Sequence, residues 1–493
     1  MKKVFLYLFF VTAIVFASCR HEDFIESTDV QLRFSEDTLI FDTVFTSVGS
    51  ITLVMQVYND YSSAVRISSL RLAKGNSSYF RLNVDGLPGR IFTDVEIPAN
   101  DSIFIFCEVT IDPNNTSTPF VVTDSIVFTT NGSQQDVDLV AWGQNAHFHR
   151  PSAGNNAFYI CNETWIDDLP HVIYGFALVD SACLLTIEKG TNIFLHPGSS
   201  LIVMTEASLI INGVWDSIVT FQGDRLDAEY REIPGQWGAI QLSNLAPSNL
   251  SGGNEARVGS KDNVINYAII KNGNFGLVVD TVYDNANVTL TLTNTIIENM
   301  VGICLFARGT RIKSGNCVFA NAGQFSAALV YSGSYDFRHC TFANFWNYSD
   351  RSDPVLLINN HYTDINNVEH VRSIDSAYFG NCIVYGDKTD EIGLDSSSST
   401  QPGQFNFFFD NSLIQVGGAF STTGQARFDS CVVNQNPKFK NPDFNNYELD
   451  TLSNAKNKGS TSVLSLPYLL NDIKGTDRTI YGLPDCGAYE RPD

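Results

Sequence analysis

Basic residues are scarce in this chain of 493 residues, and its sequence has no pattern typical of long helices. Lysine and arginine together number 31, against 53 aspartate and glutamate residues, so the formal net charge is −22. Such a surface repels phosphate backbones, which argues against nucleic acid as a partner. No long stretch repeats apolar residues every 3.6 positions. With 35 phenylalanines, 19 tyrosines and 35 glycines, the composition predicts strands and turns, and we expect an all-β protein.

Cysteine pairs of the Cys-x-x-Cys type are also absent from the sequence. Nine of the ten cysteines follow Cys19, and this odd number argues against a dense disulfide framework or a zinc site. His147 and His149 alternate in the stretch NAHFHRPSAGNN, but neither an acidic residue nor a third histidine lies near them in the sequence. We therefore predict no metal site and no cofactor.

The N-terminal apolar run, from Val4 to Phe16, is too short to span a bilayer comfortably. It follows two lysines and precedes small residues, as in a secretory signal peptide. The stretch FASC, which ends at Cys19, resembles a bacterial lipobox. This resemblance implies a signal peptide over residues 1–18, lipidation of Cys19 and a stable membrane anchor. An ordinary signal peptide with a chance cysteine is the alternative.

Residues 19–29 form a polar tether that includes the stretch RHEDFIE. Acidic residues directly after a lipidated cysteine resemble the surface-export signals of some Gram-negative lipoproteins. The resemblance implies an outer-membrane lipoprotein exposed at the cell surface and bound to the membrane through its lipid. A solvated spacer on a protein that faces the periplasm is the alternative.

Residues 30–145 contain about seven alternating apolar and polar stretches separated by Asn, Asp, Gly and Pro. This spacing predicts a β-sandwich. The stretches VYND (57–60), IPANDS (97–102) and AWGQ (141–144) resemble immunoglobulin-like modules of bacterial surface proteins. The resemblance implies a spacer or docking module without chemistry of its own. We expect residues 146–170 to be a linker.

One seven-residue phrase recurs seven times in the second part of the chain. Its starts lie 27, 22, 23, 42, 30 and 19 residues apart. The phrase reads, in chain order, NYAIIKN (266–272), TNTIIEN (293–299), GNCVFAN (315–321), RHCTFAN (338–344), GNCIVYG (380–386), DNSLIQV (410–416) and DSCVVNQ (429–435).

Three positions of the phrase keep their character. The third residue is small and the fifth is large and apolar. The seventh residue is Asn in the first four copies. Period two within the phrase predicts a strand, and the spacing between copies predicts stacked coils. We interpret the cysteines at the third position as inert packing residues. The asparagines are expected to form turns and to bond to the coils above and below.

The stretches 183–224 and 234–242 resemble the opening rungs of right-handed parallel β-helix proteins, and the closing DCGAYE (485–490) resembles their terminal signature. The resemblance implies such a solenoid over residues 171–490. It also implies that four charged residues hold the last coil and cover an open sheet edge: Asp472, Arg478, Asp485 and Glu490. The fold itself carries many functions.

No catalytic residue is predicted. Glycoside hydrolases need two carboxylates that face one sugar bond, and the sixth position of the phrase holds no column of acids. Polysaccharide lyases need a base close to acidic partners, and four basic residues on nearby rungs lack such partners in the sequence: Lys271, Arg308, Arg311 and Lys313. We interpret the RIK stretch at 311–313, which resembles a polygalacturonase motif, as coincidence.

The insertion over residues 345–379 is the most site-like segment, because it concentrates aromatic, histidine and arginine side chains. Aromatic rings stack on sugar faces and arginine binds carboxylates. We predict these residues, with Trp237 of a second insertion, as glycan contacts: Trp346, Tyr348, Arg351, His361, Tyr362, His370 and Arg372. The alternative is a loop or extra coil whose aromatics pack on the solenoid.

Three functions fit these observations. The first is a lipid-anchored envelope protein that binds a polysaccharide or surface glycan, or mediates adhesion, without catalysis. The second is a polysaccharide lyase or glycoside hydrolase with its site on loops between rungs. The third is a structural component of the envelope.

Overall fold

The computed structural model describes residues 23–114, 116–152, 154–243, 259–281, 287–418 and 421–492. The predicted signal peptide and Cys19, the predicted lipidation site, lie outside the described residues. The chain divides into two compact units, Met1–Asn145 and Ala146–Asp493. Within the described ranges, no helix has the length and apolar character needed to cross a membrane.

In its described part, residues 23–114 and 116–145, the first unit contains ten strands and one turn of 3₁₀ helix, Gly75–Ser77. The strands are β1 (Arg33–Phe34), β2 (Thr38–Phe45), β3 (Leu53–Asn59), β4 (Val65–Leu72), β5 (Phe80–Val84), β6 (Leu87–Gly89), β7 (Ile91–Ile97), β8 (Asp101–Val109), β9 (Phe120–Thr130) and β10 (Ser133–Gln144).

These strands form two five-stranded sheets, in the orders β1-β3-β8-β5-β6 and β2-β10-β9-β4-β7. Neighbours are antiparallel except for β2 and β10, which are parallel. Alternate side chains of both sheets, such as Ile105 and Phe128, enter one hydrophobic core. The prediction of a β-rich first unit is confirmed, whereas its likeness to immunoglobulin modules stays a prediction.

The second unit contains the remaining strands and three short 3₁₀ turns, Pro442–Phe444, Thr461–Leu464 and Pro467–Leu469. The strands are β11 (His147–His149), β12 (Ala157–Ile160), β13 (Glu163–Trp165), β14 (His171–Ile173), β15 (Phe176–Val179), β16 (Leu184–Glu188), β17 (Asn192–Leu195), β18 (Ser200–Val203), β19 (Ser208–Asn212), β20 (Val219–Gly223), β21 (Ile240–Ser243), β22 (Asn263–Asn266), β23 (Ala268–Lys271), β24 (Leu277–Asp280), β25 (Leu290–Thr293), β26 (Ile296–Met300), β27 (Leu305–Gly315), β28 (Val318–Ala322), β29 (Ala327–Arg338), β30 (Thr341–Asn344), β31 (Leu356–Asn359), β32 (His361–Thr363), β33 (Glu369–Val371), β34 (Ile374–Gly380), β35 (Ile383–Gly386), β36 (Ile392–Asp395), β37 (Phe405–Asp410), β38 (Leu413–Ile414), β39 (Phe428–Asp429), β40 (Val432–Val433), β41 (Phe439–Asn441) and β42 (Asn446–Leu449).

Most of these strands belong to three parallel ladders, so the unit has a solenoid-like architecture. Sheet I has eleven strands in the order β11-β14-β17-β20-β23-β26-β28-β30-β35-β38-β40. Row A runs β12-β15-β18-β21-β24-β27-β29-β31-β36. Row B runs β13-β16-β19-β22-β25-β27-β29-β34-β37-β39. The long strands β27 and β29 belong to both rows.

The seven phrases form seven consecutive strands of sheet I, from β23 to β40, which confirms the prediction that they stack. Their fifth residues lie in register and face the core, and the rings of Phe319 and Phe342 stack with centroids 4.9 Å apart. Equal positions therefore form continuous apolar columns, as the sequence predicted.

The second residue of every phrase has a left-handed backbone, which the sequence analysis missed. Its φ angle lies between 45° and 55° in all seven copies: Tyr267, Asn294, Asn316, His339, Asn381, Asn411 and Ser430. Asn tolerates this conformation better than most residues because its short amide can bond locally. The Asn316 amide donates to Asn294 Oδ1 at 3.1 Å, so amides bond from coil to coil at this corner.

Small side chains at the third position of the phrase do more than fill space. The Cys317 thiol donates to the Gly315 carbonyl at 3.3 Å, and the Ser412 hydroxyl donates to the Asp410 carbonyl at 3.0 Å. A donor at this position therefore satisfies a backbone carbonyl at the corner. Burial raises the pKa of the Cys317 and Cys382 thiols, which fits the predicted inert role.

Residues 146–170 are not a linker. Strands β11, β12 and β13 pair in parallel with β14, β15 and β16, so these residues form the first coil of the second unit. These strands are only three or four residues long and lack the repeated phrase, so no sequence pattern predicted them. A disulfide between Cys161 and Cys183 joins this coil to the next.

The C-terminal segment, residues 439–490, covers the outward face of sheet I. Apolar residues of this segment, such as Tyr447 and Cys486, pack on outward side chains such as Val318 and Ile383. The sequence had predicted cover for an open sheet edge, but the contacts lie on the face of the sheet.

A buried network of charged residues fixes that segment in place. The Arg478 guanidinium donates to Glu490 Oε2 at 3.0 Å and to Asn316 Oδ1 at 3.1 Å. The Glu490 amide donates to Asp472 Oδ2 at 2.8 Å, and the Asp485 amide donates to Glu490 Oε2 at 2.9 Å. The four charged residues therefore act together, as predicted.

Replacing Asn316 with alanine should destabilise the second unit by about 4–5 kcal/mol, because it adds a backbone cost and removes three buried hydrogen bonds, two donated by the amide hydrogens and one accepted. The left-handed backbone costs alanine about 1–2 kcal/mol, and each lost buried hydrogen bond costs about 1 kcal/mol more. The Asn316 amide donates to Asn294, Tyr468 and Asn471, and its oxygen accepts from Arg478.

The matched control is Asn411→Ala, which alters the same corner where the amide bonds only to Asp410 Oδ1 among the described residues. We expect it to lower the free energy of unfolding in denaturant by about 1–2 kcal/mol. Equal losses for the two variants would contradict a role for the coil-to-coil amide bonds.

Candidate functional site

A groove of about 320 Å³ lies on the outward face of row B, on strands β27, β29 and β34. Its polar lining alternates along each strand with buried residues such as Ile312, Phe337 and Ala377, because successive side chains of a strand point to opposite faces. The polar residues that line the groove are Arg311, Lys313, Ser334, Asp336, Arg338, Ser376 and Tyr378.

Parallel pairing sets the order of the charges in the groove. Lys313 lies opposite Asp336, and Asp336 lies opposite Tyr378. The Arg338 guanidinium donates two hydrogen bonds to the Asp336 carboxylate, at 2.9 and 3.2 Å. Its carbon lies 5.4 Å from the centroid of the Tyr378 ring. The groove is therefore cationic, since three basic side chains face one acidic side chain.

Two groups of the groove are fixed in one protonation state. The Tyr378 hydroxyl donates to Asp410 Oδ2 at 2.7 Å. Burial, and then this carboxylate, raise the pKa of Tyr378, so its phenol stays protonated near neutral pH. The hydrogen bond to Asp336 raises the pKa of Arg338.

Sequence reasoning found only part of this groove. Arg311 and Lys313 were considered, whereas Asp336, Arg338 and Tyr378 were not. Polar and apolar residues alternate in the stretches SYDFR (334–338) and SAYF (376–379), and this pattern predicts two strands with one polar face each. The pattern does not show that the two strands are neighbours, which only the strand register reveals.

Three of the predicted glycan contacts are structural residues. Trp237 lies in the core with no exposed surface, and its Nε1 donates to the Lys271 carbonyl at 2.9 Å. Trp346 is also buried, and its Nε1 donates to Ser349 Oγ at 2.9 Å. Neither ring can stack on a sugar, so both predictions are wrong.

Arg351 is the third of these residues. Its guanidinium binds both carboxylate oxygens of Glu391, at 2.7 and 2.9 Å, and also contacts Asp387. The Glu391 side chain has no exposed surface, and it also accepts from the Val355 and Lys388 amides at 2.9 and 2.8 Å. Arg351 thus neutralises a buried carboxylate and is not available for a glycan, which corrects the prediction.

The insertion itself is mostly an extra coil, as the alternative interpretation had it. Strands β31 and β34 pair with β29, and only the hairpin of β32 and β33 projects from the ladder. Tyr348 lies outside this hairpin, is exposed, and donates from its hydroxyl to the Glu232 carbonyl at 3.1 Å.

Three predicted contacts come together with Tyr331 in what we call the aromatic corner: Tyr362, His370 and Arg372. His361 lies on the opposite face of the hairpin, where its Nε2 is 3.9 Å from Glu369 and 4.0 Å from Asp395. The Tyr362 ring stacks on His370 at 4.8 Å and meets the Tyr331 ring edge-on at 4.7 Å. Arg372 Nε donates to the Tyr331 hydroxyl at 2.9 Å. Tyr331 has φ of 72°, a strained backbone for a tyrosine. The structure therefore brings these residues to one surface.

The remaining basic candidates are already paired. Lys271 forms an ion pair with Glu232 at 3.1 Å. Arg308 donates to both carboxylate oxygens of Asp280. Arg311 and Lys313 are the two sequence candidates that line the groove described above.

The histidines of the first coil have partners that the sequence did not reveal. His147 Nε2 lies 3.0 Å from Asp168 Oδ1, and His149 Nε2 lies 2.9 Å from His171 Nδ1. The fold therefore brings an acid and a third histidine close to residues that have neither as near neighbours in the sequence. Burial lowers the pKa of His149 to about 4 and that of His171 to about 3.

No family model matches this chain, and no curated protein matches it. Among solved structures, the Agl-KA catalytic domain is 11% identical, with 77% of this chain and 86% of that chain covered and a TM-score of 0.20. A catalytic domain of GH87 alpha-1,3-glucanase in complex with nigerose is 12% identical, with 78% and 87% covered and a TM-score of 0.17. A family 123 glycoside hydrolase from Clostridium perfringens is 11% identical, with 23% of this chain and 26% of that chain covered and a TM-score of 0.16. These TM-scores are too low to support an argument about function.

Replacing Arg351 with methionine should lower the free energy of unfolding by about 3–5 kcal/mol, because Glu391 is left as an unpaired buried charge. Denaturant unfolding followed by circular dichroism measures the change. Arg372→Met is the control, because that side chain is exposed and its loss should cost at most about 1 kcal/mol. A fully stable Arg351→Met variant would contradict the structural role of this ion pair.

Proposed function

We propose that this protein is a lipid-anchored component of the bacterial cell envelope whose second unit binds an acidic polysaccharide without cleaving it. The proposal includes the finer fold assignments, which are an immunoglobulin-like first unit and a right-handed parallel β-helix as the second. Cys19 carries the lipid, and the protein is displayed at the outer membrane. The Cys161–Cys183 disulfide supports export to an oxidising compartment.

The observation that carries this proposal is the cationic groove on row B. The chain has a net charge of −22, yet the groove is lined by Arg311, Lys313 and Arg338 with Asp336 as its acid. The groove has a positive local potential on a protein of negative net charge, and this potential attracts anionic ligands to the groove. Arginine binds carboxylates and sulfates with directed hydrogen bonds, and the Tyr378 ring offers a surface to a sugar face.

Binding without cleavage fits the groove better than hydrolysis does. A hydrolase needs two carboxyl groups placed on either side of one glycosidic bond. Asp336 is held by two hydrogen bonds from Arg338, and Asp410 accepts from the Tyr378 hydroxyl. Both carboxylates are therefore engaged within the protein, so neither is placed to act on a sugar.

A polysaccharide lyase is the second candidate, and one observation favours it. Lys313 is exposed in the groove, opposite Asp336, and among the described residues no hydrogen bond or ion pair engages its ammonium group. A lysine in that position has access to the proton next to a sugar carboxylate.

The aromatic corner extends the proposed contact surface. Tyr331 and the groove residue Ser334 lie on the same strand, three residues apart. The Tyr362 ring, packed against His370 and Tyr331, is 44% exposed and can contact a neutral part of the glycan with that exposed part. We propose that the groove provides charge recognition and that this corner provides stacking.

Replacing both Arg311 and Lys313 with alanine should weaken binding to acidic polysaccharides at least tenfold, because two charge-assisted contacts of about 1 kcal/mol each are lost. Binding of the full-length protein in detergent to immobilised polygalacturonate, alginate, chondroitin sulfate and dextran is measured by biolayer interferometry. The wild-type affinity for the acidic glycans should fall as salt rises.

Lys189→Ala is the matched control, because it removes an exposed lysine at a turn of the same unit. It should bind as the wild type does. Product release is read in parallel, as reducing ends and as absorbance of unsaturated uronate. Cleavage would replace the proposal with the lyase or hydrolase. Failure to bind any of these glycans would leave a structural role in the envelope.

Replacing Cys19 with serine should abolish lipid attachment, because serine lacks the thiol that is modified. Bacteria that express the wild-type chain and are fed a radiolabelled fatty acid should incorporate the label, and the variant should not. The Cys107→Ser variant is the control, because that cysteine is buried in the first unit. Equal labelling of the wild type and the Cys19 variant would exclude the anchor.

A further inference from the structure

The first two coils of the second unit bring three histidines and one aspartate together, far along the chain from the proposed glycan groove. Strand β11 lies parallel to β14, with His147 directly opposite His171 and the ring centroids 4.9 Å apart. Asp168 precedes β14, and its two carboxylate oxygens lie 3.0 and 3.1 Å from His147 Nε2. One ligand atom each from His147, Asp168 and His171 lies within 4.8 Å of the other two.

One nitrogen of this cluster is buried without a partner. His171 is only 4% exposed, and its Nε2 has no hydrogen-bond partner within the described part of the chain. Its other nitrogen, Nδ1, lies 2.9 Å from His149 Nε2. If Nδ1 donates to His149, the Nε2 atom keeps a lone pair that no protein group satisfies. Histidines that bind metals commonly donate their other ring N–H in this way, which fixes the tautomer and the ring orientation.

Aromatic packing holds these rings in position. The Trp165 ring stacks on His149 with centroids 4.4 Å apart, and on His171 with centroids 4.5 Å apart. Asp168 Oδ1 also accepts from the Leu169 amide at 2.8 Å, which restrains the carboxylate. The side chains are therefore ordered before any ligand binds, as a specific binding site requires.

We propose that His147, Asp168 and His171 bind a divalent transition-metal ion of the Zn²⁺ class, and that His149 is the positioning residue that orients His171. Nitrogen and carboxylate oxygen are ligands that Zn²⁺ accepts at about 2.0–2.2 Å in a tetrahedral arrangement. Such bonds place ligand atoms about 3.3 Å apart, close to the separation of His147 Nε2 and Asp168 Oδ1. Three protein ligands leave the fourth position to water. His147 and Asp168 are both partly exposed, so an ion can reach the site.

The test uses full-length protein in detergent, without a polyhistidine tag and stripped of metal with EDTA. Isothermal titration with Zn²⁺ should show one equivalent bound. Co²⁺ should give the visible absorption of a tetrahedral site. Asp168→Asn and His171→Gln should each weaken Zn²⁺ binding at least about 100-fold, and His149→Phe about 10–100-fold, as expected for a group that orients a ligand.

His196→Gln is the matched control, because His196 Nδ1 pairs with Asp224 at 2.7 Å in the same unit and no described residue adds a third ligand. It should bind Zn²⁺ as the wild type does. Asp168 is half-exposed, so its variant should fold even if a substitution at the buried His171 does not. No binding by the wild type would overturn the proposal and leave His147 and Asp168 as a surface ion pair. Unchanged binding by Asp168→Asn would also overturn it.

Discussion

The left-handed corner before each phrase strand of sheet I is the constraint on which much of the second unit depends. It turns the chain out of row B and into sheet I at the same place in each of the seven coils that contain the phrase, so that equal positions lie above one another. The groove strands β27, β29 and β34 end at Gly315, Arg338 and Gly380, directly before the corners at Asn316, His339 and Asn381. The corner therefore also fixes the register that places Lys313 opposite Asp336, and the proposed glycan surface follows from a backbone constraint.

Burial separates the structural from the functional residues among chemically similar side chains. Arg351 and Arg338 both bind carboxylates in two hydrogen bonds, yet Arg351 is enclosed with Glu391, whereas Arg338 borders an open groove. An enclosed ion pair serves the fold, because either partner alone would be a costly buried charge. A partly exposed one still presents charge to a ligand. The same contrast holds between the buried Trp237 and the exposed Tyr362.

The sequence predicted the second unit well where the chain repeats itself. The small and large columns of the phrase identified seven strands, because stacking imposes the same volume at equal positions. The left-handed corner could not be predicted because its position is not always Asn. Three of the seven copies have Tyr267, His339 or Ser430 there. The groove could not be predicted because its residue types do not repeat from one strand to the next. Only the strand register shows that these residues are neighbours. For the same reason, His147 and His171 became neighbours only through the pairing of two very short strands.

Solenoids are held together by contacts between adjacent coils, so they can unzip from an end one coil at a time. The C-terminal segment changes this behaviour, because it forms hydrogen bonds to several successive coils. It bonds through Arg478 to Asn316, through Ala488 to Thr341, through Gly487 to the Asn381 carbonyl, and through Cys486 to the Asn411 carbonyl. A pulling force on the C-terminus must break these hydrogen bonds before the coils beneath the segment can separate. Those coils, which include the groove, therefore resist force as one cooperative block.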